Sequence, residues 1–176
     1  MKDIVKSVIA LTINVILCLT AMAQDKFTEG KQIVGDRTFE IKFSEINANR
    51  IAVISNLPQY KNGYSLPNGQ TQPLMVRPSD IKVDTVVDRK IFYEVLKNKL
   101  KKLRINDETI TVYYVFGQDG DVVDISFYIL PRNTVITLRE LALIDKRLRE
   151  EVKASFKGPD YLNWPVIFFG RDIRFD

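Results

Sequence analysis

The sequence predicts an α+β protein: a small antiparallel sheet packed by two helices, closing in a β-hairpin–helix–β-strand unit. Three observations predict it. Residues 109–130 alternate apolar and polar side chains on either side of an Asp-Gly turn, which is the pattern of two half-buried strands joined as a hairpin. Residues 84–104 and 137–156 each repeat apolar residues at helical spacing behind a capping signal. The chain then closes on an apolar-rich run, residues 164–175, long enough for one more strand.

The first residues read as a targeting segment. Lys2 and Lys6 form a positive start, and Val8, Ile9, Leu11, Ile13, Val15, Ile16, Leu17 and Leu19 form an apolar stretch. Ala21-Met22-Ala23 ends it with the small-x-small pattern of a signal-peptide cleavage site, so residues 1–23 are expected to leave and Gln24 to become the first mature residue. A retained membrane helix needs about 20 mostly apolar residues, and Ser7, Thr12, Asn14 and Thr20 interrupt this one. No stable membrane span is expected after cleavage. A lipid anchor on Cys18 is disfavoured, because bulky Leu17 precedes it where a small residue is required. The expected location is therefore the periplasm or the outside of a bacterial cell.

Composition then removes whole classes of function. Residues 24–176 have the length of one ordinary domain, long enough to bury a core without a disulfide or metal staple. The only cysteine is Cys18, and the chain has no histidine. Zinc, copper and non-haem iron sites draw on those two residue types, and nucleophilic triads rely on a histidine base. Hence no catalytic, cofactor-binding or metal-binding residue is assigned. Lys2, Lys6 and Asp3 depart with residues 1–23, so the net charge of +4 falls to +3. That excess is too small and dispersed for a nucleic-acid surface.

Along the mature chain, residues 24–35 are polar and are expected to fray. Residues 37–43 alternate, with Phe39, Ile41 and Phe43 on one side and Thr38, Glu40 and Lys42 on the other, which predicts a strand. Ile51, Ala52, Val53 and Ile54 suggest a second. Residues 57–80 hold Pro58, Pro67, Pro73 and Pro78 with the turn pairs Asn62-Gly63 and Asn68-Gly69, so a long connector is expected. Tyr60, Tyr64 and Leu66 would make it adhesive, but its turn signals outnumber its anchors. Thr85 and Asp88 resemble a capping box at the head of the first helix, whose buried stripe is Phe92, Val95, Leu96, Leu100 and Leu103. The cationic run in residues 97–104 reads as a solvated face favoured by the helix dipole.

The hairpin follows. Ile110, Val112, Tyr114 and Phe116 face inward on its first strand, and Val123, Ile125, Phe127 and Ile129 on its second. Thr137 and Glu140 form a capping box for the second helix, with Leu141, Ile144, Leu148, Val152 and Phe156 as its stripe and Lys157-Gly158-Pro159 as its stop. The final strand is expected to bend at Gly170.

Over residues 109–175 this order resembles the TonB C-terminal domain. The resemblance is carried by Val112-Tyr113-Tyr114-Val115-Phe116, Asp119-Gly120, Val122-Val123-Asp124-Ile125, Leu141-Ala142, Phe156-Lys157-Gly158-Pro159 and Ile173-Arg174-Phe175. It implies a periplasmic protein-contact module that pairs an extended peptide of an outer-membrane or other envelope protein with a sheet edge, where unpaired N–H and C=O groups supply the bonds. The energy-coupling members of that family carry an uncleaved anchor and a Pro-rich spacer, and this chain has neither pattern. Residues 24–108 are an N-terminal part that the resemblance leaves unassigned.

Two functions follow. The first is a non-catalytic protein-interaction module, with Val166, Ile167, Phe168 and Phe169 on the strand expected at an edge and Trp164 flanking it. Core packing is the simpler reading of each of those side chains, because four consecutive apolar residues suggest burial on both faces. The alternative is a carboxylate-based hydrolase or accessory factor acting on cell-envelope glycans or peptides, which needs two carboxylates about 5 to 10 Å apart. Asp119, Asp121 and Asp124 are the candidates. A tight turn favours Asp119 and Asp121 without any chemistry, and the spacing lacks the Gly and Glu of a Ca²⁺ loop.

Overall fold

The computed structural model describes residues 27–46, 49–56, 79–131, 134–157 and 165–176. The expected signal segment, residues 57–78 of the proline-rich connector, Gly158, Pro159 and Trp164 lie outside the described residues. Among the described residues no helix is long and apolar enough to cross a membrane.

Among the described residues eight strands and three helices follow one another: β1 (Gly30–Val34), β2 (Arg37–Ile46), β3 (Asn49–Asn56), β4 (Ile81–Val83), α1 (Thr85–Val95), α2 (Leu100–Ile105), β5 (Thr109–Gly117), β6 (Val122–Ile129), α3 (Leu138–Glu151), β7 (Ala154–Phe156) and β8 (Val166–Arg174). Six of the strands form one sheet in the order β1-β2-β3-β6-β5-β8, and β4 pairs with β7 apart from it. Every neighbouring pair in the large sheet is antiparallel. The protein is thus α+β, with the hairpin β5-β6, the helix α3 and the closing strand β8 as its C-terminal half.

The alternation read from the sequence sets the inward face. Ile41, Ile54, Phe127 and Val112 stand in one row across four strands, and all four are fully buried. Ala52, Ile129 and Ile110 continue a parallel row to Ile173 at the far edge. Ile91 and Phe92 of α1 and Leu141, Ile144 and Leu148 of α3 join these rows in one core. Burial of this kind is the main favourable term, at about 1.5–3 kcal/mol for each large apolar side chain.

Four expectations need correction. Residues 30–34 do not fray: β1 pairs with β2 from Val34–Arg37 outward. Gly35, at φ +63°, makes the tight turn. The strand is polar because it is an edge held by backbone pairing, and Ile33 is exposed. The first helix is two. α1 stops with Leu96 as its cap, and α2 starts after Lys99. The intervening Asn98 favours a turn, and Lys99 Nζ is drawn to Val135 O at 2.7 Å and to Glu140 at 2.8 Å. In β6 it is Val122 that is buried, while Val123 is half-buried. The ladder slips between Val115 and Phe116, which face Asp124 and Val122, so Val123 is the extra residue of a bulge.

At the end of α3, Phe156 belongs to β7 rather than to the helix stripe. Val152 turns the chain into an extended conformation, and Ala154 N then donates to Gly120 O at 2.9 Å. The expected long final strand is β8, which pairs with β5 without a register shift from Val166 to Arg174. At Gly170 an added Cβ would stand 2.8 Å from Tyr113 Cε1, so the ring occupies that space.

Candidate functional site

β8 ends the sheet, and its last residues are tied to the helices. Tyr93 Oη donates to Asp176 O at 3.0 Å and lies 3.4 Å from Arg174 O. Arg104 Nε donates to Phe175 O at 2.9 Å. In an antiparallel ladder the N–H and C=O of one residue point to the same side, and successive residues alternate. Arg174 O points away from β5 toward Tyr93, so Asp172 and Gly170 present their backbone groups to the side that no other described strand covers. The 2.7 Å hydrogen bond from Thr111 Oγ1 to Asp172 Oδ1 fits the closer, non-hydrogen-bonded pairing that this alternation gives.

Beneath that edge lies a charged cluster. The row Ile41, Ile54, Phe127, Val112 ends on Arg171, where the pattern calls for an apolar side chain. Arg171 Nη1 approaches both oxygens of Asp88 at 3.2 Å, and Tyr114 Oη donates to Asp88 Oδ2 at 3.2 Å. Asp88 and Tyr114 are fully buried, and Arg171 keeps 22% of its side chain exposed. Burial pushes the Asp88 carboxyl up to about 6, although Arg171 and the Tyr114 hydroxyl both oppose the rise. Burial, with the Asp88 charge beside it, also holds the Tyr114 hydroxyl well above its ordinary range. Among the described residues no buried side-chain polar atom lacks a partner.

The sequence contained both halves of this cluster without joining them. Asp84, rather than Thr85, caps α1, accepting from Val87 N at 3.1 Å. Asp88 is therefore not a capping partner: it lies one turn before Phe92, on the buried stripe. A carboxylate on an apolar stripe and an arginine breaking the series Ile167, Phe169, Ile173 were the available signals. Neither names its partner.

A cavity of about 210 Å³ opens at the same place, lined by Arg89, Arg171, Asp172, Ile173, Arg174 and Asp176. Arg89 Nη2 binds Asp176 Oδ1 at 2.6 Å, and its guanidinium carbon lies 5.3 Å from the centre of the Tyr93 ring. Arg171 spends only Nη1 on Asp88. Among the described residues the guanidinium of Arg174 has no ion-pair partner.

The three candidate carboxylates are placed elsewhere. Asp119 Oδ1 accepts from Asp121 N at 3.0 Å inside the hairpin turn, Asp121 pairs with Lys153, and Asp124 pairs with Arg149 at 3.2 Å. Arg149 also holds the fully buried Asp145, which Arg37 grips from the start of β2. That network fastens α3 to the sheet. Among the described residues no group of three or more His, Cys, Asp or Glu is placed to hold a metal ion. Val166 and Ile167 are buried on the edge strand, and Phe168 and Phe169 are half-buried.

No family model and no curated protein matches the chain. Among solved structures, the fold is similar to the crystal structure of a DUF5043 family protein from Bacteroides uniformis, with a TM-score of 0.63. The likeness covers 86% of each chain at 11% identity.

Proposed function

We propose that this protein is an exported, non-catalytic interaction module that binds an extended segment of a cell-envelope protein by adding it to the free side of β8. The observation that carries this reading is the position of β8: nine residues long, it pairs on one side with β5 and ends the sheet. An edge of that length offers a partner several backbone bonds, the usual source of affinity when a strand is added. The TonB-like order of residues 109–175 and the signal-like residues 1–23 support the same reading. For the alternative, a carboxylate hydrolase of envelope glycans or peptides, two facing carboxylates are needed. Asp119, Asp121 and Asp124 are each engaged in turn or ion-pair contacts instead.

The test is a proline placed on the open side. Asp172→Pro removes an outward N–H and spares the ladder to β5, and Asp172→Ala controls for the side chain. A protein retained from envelope extract by the wild type and by Asp172→Ala, but not by Asp172→Pro, supports the reading. Amide exchange should then slow at residues 170–172 in the complex. Equal retention by all three, or protection confined to another element, discards it.

A further inference from the structure

We infer that the segment bound along β8 carries a carboxylate, which enters the cavity between Arg171 and Arg174. This inference rests on the edge reading above and names the chemistry of its partner. The cavity lies at the edge itself, because its lining includes Arg171 from the inward face and Asp172 and Arg174 from the outward face. An added strand must therefore pass over its mouth.

Unused hydrogen-bond donors decide what would enter. Of the three guanidinium groups in the lining, Arg89 is matched by Asp176 and Arg171 by Asp88 beneath. Asp172 accepts from the Thr111 hydroxyl. Arg174 is left without a counter-ion among the described residues. Arginine offers five N–H donors in a planar fork, and Arg171 uses only Nη1 on Asp88. The unused donors of Arg171 and the whole fork of Arg174 border one space. A carboxylate accepts such paired donors better than any neutral group does, whereas an ammonium has no acceptor to offer them.

The probe is an end-blocked hexapeptide of alternating Thr and Val with one central Glu, compared with its Gln and Lys versions by anisotropy on the full chain. The Glu peptide should bind about tenfold more tightly than the Gln peptide, as expected for hydrogen bonds to a charged group. Arg174→Glu should reverse the order in favour of Lys. Equal binding of all three peptides, lost together in Asp172→Pro, overturns the carboxylate inference and leaves the edge reading standing. Conversely, a Glu preference that survives in Asp172→Pro supports the cavity and overturns edge pairing. If no hexapeptide binds, N-acetylglutamate methylamide decides the cavity alone. Shifts at the Arg171 and Arg174 Nε resonances, absent with the glutamine analogue, support it, and unmoved resonances overturn it.

Discussion

Asp88 on the first helix and Arg171 on the last strand, 83 residues apart in the chain, meet at 3.2 Å on the buried side of an edge strand. This contact sets the electrostatics of the whole edge. It neutralises one arginine of the cavity while leaving that arginine's remaining donors directed outward. Burial of Asp88, which this contact offsets only in part, makes the stability of the protein depend on pH in an unusual direction.

The sign follows from the raised carboxyl. Unfolded, Asp88 titrates near its ordinary 3.8, and folded near about 6. Between those values the folded state holds more protons than the unfolded one, so this residue lowers stability as pH rises through that window and has no further effect above it. In Asp88→Asn the dependence is gone. Relative to the wild type, the variant should gain about 2 kcal/mol between pH 4 and pH 7. Urea unfolding at the two pH values measures it, and a constant difference between the two proteins would contradict the assignment.

Removing the arginine tests the same pair from the other side. Arg171→Met leaves a buried carboxylate without its cation, which costs about 3 kcal/mol when both partners are charged. At pH 4 the Asp88 carboxyl is protonated, and the loss should shrink to that of a lost surface contact. Thermal unfolding of the variant at pH 4 and pH 7 reads this directly.

The hairpin turn is constrained by backbone. Gly120 sits at φ +83°, and a Cβ there would collide with the Ala154 carbonyl that follows α3. Gly120→Ala therefore combines left-handed strain with an immovable neighbour, and we expect a loss of about 3 kcal/mol or more. Asp119→Ala, which removes only the 3.0 Å turn bond to Asp121 N, should cost about 1 kcal/mol. Comparable losses in the two variants would show that the turn can relax.

The capping box of α3 should behave as a local device. Thr137 Oγ1 accepts from Glu140 N at 3.3 Å, and Glu140 Oε2 accepts from Thr137 N at 2.8 Å. Thr137→Ala is expected to cost about 1 kcal/mol in denaturant unfolding. Glu140→Ala should cost more, since the same carboxylate also receives Lys99.

How far the fold was legible depended on how local its causes were. The β5–β6 hairpin and the start of α3 are written in short-range patterns: alternation about Asp119-Gly120, and the pair Thr137 and Glu140. The strand β1 was not legible, because an edge strand held by backbone pairing needs no apolar pattern. The break after α1 and the end of α3 were also hidden. Both are fixed by partners distant in the chain, Glu140 with Val135 for Lys99 and Gly120 for Ala154.

The candidate site divides in the same way. The sequence by itself determined that a strand closes the chain, that a helix follows the hairpin, and that no histidine is present. Only the tertiary structure decided that Arg171 of this strand faces the core and that Asp88 receives it. Periodicity specifies which face a residue takes within its own element. Which elements adjoin, and so which charges meet out of water, is settled by packing the whole chain at once.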